Sequence, residues 1–359
     1  MVWPFAKNDQ QSFLGIDVGT ASIKIVEISQ KGKRKVLENY GELGMDAVYK
    51  ESFRTFNKNT LLLSTNDVSR ALRAMVQEAE FKTNKAIFSL PDFATFFTTF
   101  DLPPMTAKEI PQAVEFEARK HIPLPTSEVV LDYQLLTKHS PDKERNKVLL
   151  LAVPSAAVNQ YKETAKKAEL DIIALEAEVF GLQRSLVRND KATVFLVDIG
   201  SQSTTLSVVD RGLLKTSFSF DTASKDLTFA LSKSLRIGMP EAEKIKMKEG
   251  ISYSGNDDNE KILGPILDSI ITEIKKVVKS FSLEEQRQPE EIILSGGTAL
   301  LPGLASYFQK SISQEFKAIS IKLADPFADI FYPPSLEKKI KEMGPTFAVA
   351  VGEALKGFK

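Results

Sequence analysis

The chain has 359 residues, 47 of them lysine or arginine and 47 aspartate or glutamate, so its formal net charge is zero. That length can bury the cores of two domains, and the balanced charge supplies no overall field for nucleic acid or anionic lipid, which disfavours nucleic-acid binding. With no cysteine, disulfides, thiolate metal sites and a cysteine nucleophile are excluded. The longest apolar runs, such as 148–153, are far too short to span a bilayer, and 1–7 lacks the apolar region of a signal peptide. A cytoplasmic location is expected. Trp3 and Phe5 on the polar N-terminal tail suit either a frayed end packed on its own domain or a contact with a membrane or partner.

The first organised stretch, 13–26, reads as an apolar strand, a tight turn and a second strand. Asp17 can orient a hydrated cation, Gly19 lets backbone approach a ligand, Thr20 and Ser22 offer hydroxyl and amide donors, and Lys24 supplies a positive charge. This inventory suits a polyphosphate, although a single Asp-x-Gly turn is also an ordinary hairpin. The next turn falls near 30–33, and residues 37–60 read as mixed and loop-rich. A helix starts at Asn66 or Asp67, because Val68, Ala71, Leu72, Met75, Val76 and Ala79 recur at helical spacing.

Residues 81–153 read as an inserted α+β module. Apolar or alternating runs at 86–90, 96–100, 129–136 and 147–153 suggest four strands, with a helix between the second and third. Thr106 and Glu109 make a capping box for that helix, Met105 can staple to Ile110, and Pro111 comes early enough to remove only one hydrogen bond. The two histidines, His121 and His139, are too few for a metal site and are expected on surfaces or loop edges. A helix over 155–168 then returns the chain to the first domain, followed by a buried strand through Ile172, Ile173 and Leu175. The helix beginning in 176–182 carries Glu176 and Glu178, carboxylates that a helix dipole favours at its start.

At 195–206 the first motif returns 181 residues later. Asp198 answers Asp17, Gly200 answers Gly19, Ser201 answers Thr20 and Ser203 answers Ser22, while Thr205 stands where Lys24 did. Two related half-sites at half-chain spacing point to similar domains facing each other across a cleft. After a turn at Asp210-Arg211-Gly212 come a strand at 213–220, a helix near 223–235, and Glu243 with Lys246, which on an exposed helix would form an i, i+3 salt bridge. Residues 251–260 are a polar excursion, and 261–282 is a long helix with Ile262, Ile266, Ile270 and Ile274 facing the core. The apolar strand at 292–294 ends in Ser295, Gly296, Gly297 and Thr298, where a glycine pair admits a flat ring or ribose against backbone; Pro302 starts the next helix. Pro333, Pro334 and the charged 337–339 lead into the last helix as solvated surface.

These three motifs, D-x-G-x-x-x-x-K from Asp17, its copy at Asp198 and S-G-G-T-x-x-x-P-G from Ser295, resemble the phosphate-1, phosphate-2 and adenosine motifs of the actin-like ATPase superfamily. The resemblance implies an α/β fold of two RNase H-like halves around a nucleotide cleft, with an inserted small α+β subdomain. The expected divisions are 10–80 with 154–190 and 340–359 for the first half, 81–153 for the insert, and 191–339 for the second half, with 236–289 as its smaller helical subdomain. It further implies ATP, with magnesium held through water by Asp17 and Asp198. Lys24 and the backbone and hydroxyls around Gly19, Thr20, Ser22, Gly200, Ser201 and Ser203 would hold phosphates. Gly296, Gly297 and Thr298 would border the adenosine, and Glu243 and Lys246 are candidate nucleoside contacts. In the superfamily an acidic or amide side chain at the first connecting helix positions the attacking water; Glu178 is the candidate catalytic residue, with Glu176 second. At most weak ATPase activity is implied.

Within the insert, L-P-P-M-T-x-K-E-I at 102–110 and E-F-E-A-R-K-H-I-P-L-P-x-x-E-V-V-L-D-Y at 115–133 resemble the signature of the PilM family of type IV pilus assembly, as do Asp325-Pro326-Phe327 and the closing 348–356. The resemblance implies a cytoplasmic scaffold at the inner face of the inner membrane. It would dock the N-terminal peptide of the membrane protein PilN in a groove formed partly by the insert, and reach PilO and the rest of the complex indirectly, with self-association open. Two alternatives share the fold. A sugar or small-molecule kinase would need a catalytic carboxylate aimed at a substrate hydroxyl, for which the insert shows no motif. An FtsA-like filament former would usually end in a membrane-binding amphipathic helix, whereas this chain ends almost at its core helix.

Overall fold

The computed structural model describes residues 11–44, 65–136, 145–251 and 258–358. The chain begins with an antiparallel meander of β1 (Ser12–Val18), β2 (Ser22–Lys31) and β3 (Arg34–Gly44). Residues 37–44, expected as loop, belong to β3: their alternation is blurred by polar side chains, and it is the register against β2 that keeps them extended. Helix α1 (Thr65–Glu78) lays Val68, Leu72 and Met75 on this sheet, and β4 (Lys85–Leu90) joins it in parallel to β1.

That position of β4 corrects the four-strand reading of the insert. Ala86, Ile87 and Phe88 are buried because the strand is internal to a larger sheet, a distinction that an apolar run does not carry. The insert sheet has three strands, β5 (Phe96–Leu102), β6 (Val129–Leu135) and β7 (Asn146–Pro154), in the order β5-β7-β6. Its helix α2 (Ile110–His121) covers one face through Ile110, Val114 and Ala118. Thr106 N–H and Oγ1 both donate to Glu109 Oε2 at 2.7 Å, but they close a turn ahead of the helix. Pro111 therefore falls in the first helical turn, where no intrahelical bond is lost. His121 stacks on Phe100 with ring centroids 5.1 Å apart. His139, Trp3 and Phe5 lie outside the described residues.

The chain returns through α3 (Ser155–Lys167) and β8 (Asp171–Ala177) to α4 (Glu178–Leu186). Glu176 thus stands on a strand, since pairing with β4 extends β8 to Ala177. The second half follows: the meander β9 (Thr193–Ile199), β10 (Thr204–Asp210) and β11 (Leu213–Phe220), helices α5 (Ser224–Leu235), α6 (Met239–Glu249) and α7 (Asp258–Glu285), then β12 (Glu291–Ser295), α8 (Leu304–Ser313) and β13 (Ser320–Leu323). A short β14 (Ile330–Phe331) and the last helix α9 (Glu337–Lys356) go back to the first half. The two large sheets read β14-β3-β2-β1-β4-β8 and β11-β10-β9-β12-β13, a repeated plan of meander followed by parallel strands.

Helix α9 runs under the cleft against β1 and α4. A Cβ built on Gly15 would lie 1.9 Å from Ala350 O, and one on Gly352 would lie 1.9 Å from Gly181 O. Backbone therefore touches backbone at both crossings, which is why the closing helix is rich in alanine and glycine.

Candidate functional site

The duplicated hairpins close by the same bond. Gly19 N–H donates to Ser22 O at 3.1 Å, and Gly200 N–H donates to Ser203 O at 3.0 Å. Both turns open onto one cavity of about 340 Å³ between the halves. Its wall includes Asp17, Gly19, Thr20, Ser22 and Lys24 from the first hairpin and Asp198, Gly200, Ser201 and Ser203 from the second. Gly296, Gly297 and Thr298 close one side, and Glu178 and Glu243 complete it. The cavity is lined by every residue nominated for nucleotide, cation or water except Lys246 and Glu176.

Register explains the first wall. Asp17 on β1, Lys24 on β2 and Glu42 on β3 are cross-strand neighbours, so their side chains stand in a row. Lys24 Nζ is 3.8 Å from Asp17 Oδ2, and Ser22 Oγ donates to Glu42 Oε1 at 2.8 Å. No motif marks Glu42, because 37–60 reads as mixed and loop-rich in sequence; the weak alternation of β3 is its one signal. Burial raises the pKa of Asp17 above the usual carboxylate range against the opposing pull of Lys24 and of Ser89, whose Oγ donates to Asp17 Oδ1 at 3.2 Å. Across the cleft, burial and then the Asp17 charge push Asp198 up to about 6.

At the third motif β12 runs parallel to β9 and ends at Ser295 beside Asp198. Gly296 has φ +83°, and a Cβ there would lie 2.5 Å from Ile199 O and 2.9 Å from Asp198 Oδ1. Only glycine lets the loop close over the end of β9. Its N–H donates to Pro345 O at 3.0 Å, which ties the loop to α9. Thr298 Oγ1 is buried at the wall without a hydrogen-bond partner, a polar atom available to a ligand.

Glu178 opens α4 and stands half-buried at the cleft wall. Its Oε2 accepts the N–H of Asp92 at 3.0 Å, and Asp92 Oδ1 accepts the N–H of Val179 at 3.3 Å. Burial, then the charges of Asp92 and Asp17, raise Glu178 well above its usual range. Burial likewise pushes Asp92 up to about 8. No motif marked Asp92, which reaches the helix start only through the return of β8 alongside β4.

Two nominations change. Lys246 stands behind Glu243: its buried ammonium donates to Thr228 Oγ1 at 2.9 Å and Glu243 Oε2 at 2.7 Å, and also to Ser224 Oγ. It joins α5 to α6 and does not reach the cleft wall, so the pair is a salt bridge whose ammonium is buried while its carboxylate stands at the cleft wall. Glu176 faces away from the cleft, held by Arg184 and by Lys356 Nζ at 3.0 Å. Burial opposes its ionisation, but these cations hold it below the usual carboxylate range.

The donor set suits a hydrated hard cation. Among the described residues no three acidic, histidine or cysteine side chains converge closely enough to ligate a metal directly, while Asp17 and Asp198 face one space with mutually unfavourable charges. An ion that keeps most of its water fits such a pair.

Glu176 and Arg184 belong to a second cavity of about 1000 Å³, between the insert and the first half. One wall is β6, an edge of the three-stranded sheet; the other is β8, an edge of the six-stranded sheet, with Phe180 and Val187 after it. Gln134 Oε1 and Arg184 Nε are buried on these walls without partners. No helix of the described residues is long and apolar enough to cross a membrane.

Three similarities accompany this geometry. The PilM-PilN type IV pilus biogenesis complex contains a chain with TM-score 0.82 and 24% identity, the match covering 96% of this chain and 98% of that one. MreB 5 of Spiroplasma citri bound to AMPPNP gives 0.54 at 14% identity, covering 96% and 95%. Cell division protein FtsA of Streptococcus pneumoniae is 20% identical over 360 residues, 88% of this chain and 75% of the relative. The solved structures show the actin-like fold, and the family model of type IV pilus assembly protein PilM matches residues 15–358; the chain therefore belongs to the PilM family, the actin-like proteins of type IV pilus assembly.

Proposed function

We propose that this protein binds Mg-ATP in the smaller cavity and docks the cytoplasmic N-terminal peptide of PilN in the larger groove, with the first adjusting the second. The observation that carries the nucleotide half is the meeting of both glycine turns, Asp17, Asp198 and Lys24 in one cleft. Turn amides beyond those of Gly19 and Gly200, which close the hairpins, and the Lys24 ammonium bind phosphate oxygens. Asp17 and Asp198 hold magnesium through its waters; bound there, the ion neutralises charge between these carboxylates and the phosphates. Gly296 and Gly297 leave room for the nucleoside, Thr298 Oγ1 gains a partner, and Glu243 contacts the ribose. Glu178 orients a water.

The groove suits an extended peptide. Two sheet edges face it, and two buried side-chain atoms that lack partners among the described residues, the acceptor Gln134 Oε1 and the donor Arg184 Nε, match the N–H and C=O that a peptide backbone offers. A structurally similar chain is described in complex with PilN. Through that peptide the protein sits at the inner face of the inner membrane and reaches PilO indirectly. The sugar-kinase and division-filament alternatives are not favoured, because the family match is to pilus assembly.

Calorimetry of the full chain with a synthetic PilN N-terminal peptide, with and without Mg-ATP, tests both halves. Micromolar binding that shifts with nucleotide is expected. Binding indifferent to nucleotide refutes the coupling alone, and no binding in either state by folded protein refutes the PilN assignment.

A further inference from the structure

The turn at Asp92–Ala94 lies where three parts of the molecule meet. It follows β4 of the first half, leads into β5 of the insert and packs against β11 of the second half. Pro91 and Phe93 border the cleft, while Asp92 points away from it into α4. That helix has no side-chain cap of its own, since Ala177 occupies the N-cap, so Asp92 caps it from the turn after β4. In return the Glu178 carboxylate holds the Asp92 N–H. Asp92 Oδ2 is buried and unpartnered, a cost that a serine cap would not carry.

Helix α4 spans both sites. Glu178 borders the cleft, and Phe180, Gln183 and Arg184 form a wall of the groove. With Gly181 in backbone contact with Gly352, this nine-residue helix has no slack at its middle. The facing wall of the groove is the insert, and Asp92 stands at its root.

We propose that the Asp92–Glu178 clasp is the linkage by which the cleft sets the width of the groove; this rests on the reading of cleft and groove as Mg-ATP and peptide sites. A ligand arriving beside Glu178 acts on the same carboxylate that holds the Asp92 N–H. The start of α4 and the root of the insert then move together, and the two groove walls change separation. Asp92 is a positioning residue that touches neither ligand.

The test is the same calorimetry on the full chain carrying Asp92→Ala or Asp92→Asn. In the unmodified protein Mg-ATP changes peptide affinity by about tenfold. Asp92→Ala binds each ligand alone within about threefold of the unmodified protein, but the nucleotide effect on peptide falls below about twofold. Asp92→Asn keeps the acceptor for Val179 N–H and restores the effect. Full coupling in Asp92→Ala overturns the proposal while leaving the ligand assignments standing; absence of either ligand from the unmodified protein instead overturns those assignments. Should Asp92→Ala not fold, hydrogen exchange in the unmodified protein decides: Mg-ATP must change protection at Val179 and at β6 together, and a change at only one of them overturns the linkage.

Discussion

Gly352→Ala probes the crossing that holds α4 between cleft and groove. The new Cβ would lie 1.9 Å from Gly181 O, 2.4 Å from Gly181 C and 2.6 Å from Gly181 Cα. Against an ordinary carbon–oxygen contact this is a shortfall of about 1.5 Å. The obstacle is backbone, so no side chain can swing aside. Alanine gains about 1 kcal/mol of intrinsic helix preference over glycine, and overpacking costs about 1–3 kcal/mol, toward the upper end where nothing flexible yields. The expected net loss is about 1–2 kcal/mol, seen as a melting temperature lower by about 3 °C. Because α4 is displaced with Glu178 at one end and Arg184 on its groove face, peptide binding should weaken as well. An unchanged melting temperature by differential scanning calorimetry would refute the backbone contact.

Gly296→Ala meets both a left-handed φ of +83° and Ile199 O at 2.5 Å, so stability and nucleotide binding should both fall. Gly297→Ala has nothing within 4 Å and should change stability by less than about 0.5 kcal/mol; equal melting curves for the two variants would contradict the cradle at Gly296. Lys24→Met removes the one cation that, among the described residues, lines the cleft with the phosphate turns, and should weaken Mg-ATP binding at least about tenfold, or about 1.4 kcal/mol, with the fold retained. Titration calorimetry giving the unmodified affinity would remove Lys24 from the phosphate site. The raised carboxylates also set a pH trend. Asp198 at about 6 and Asp92 at about 8 keep protons in the folded state that the unfolded chain, titrating near 4, has already lost. Stability of the magnesium-free protein must therefore decline as pH rises from about 5 to 8. Urea midpoints that stay level or climb across that window would show that these groups ionise freely in the fold.

The sequence by itself determined the parts whose physics is local. A turn of Asp, Gly and a hydroxyl between apolar runs announces a phosphate-type hairpin, and its repetition announces a second half, because each hairpin closes through bonds within a few residues. Helical periodicity placed α1, α3, α5 and α7 within a few residues, and the glycine pair after β12 marked the third wall. The tertiary structure decided what depends on register and return of the chain. Whether 85–90 belonged to the insert or to the main sheet turned on β4 lying between β1 and β8, which no apolar run encodes. Glu42 entered the cleft only through cross-strand pairing with Lys24, and Lys246 left it because α5 supplied hydroxyls to a buried ammonium. Asp92 and Glu178 are separated by a whole subdomain in sequence, yet lie one hydrogen bond apart because parallel β4 and β8 bring their ends together. The groove, too, exists only where the edges of two separate sheets come to face each other.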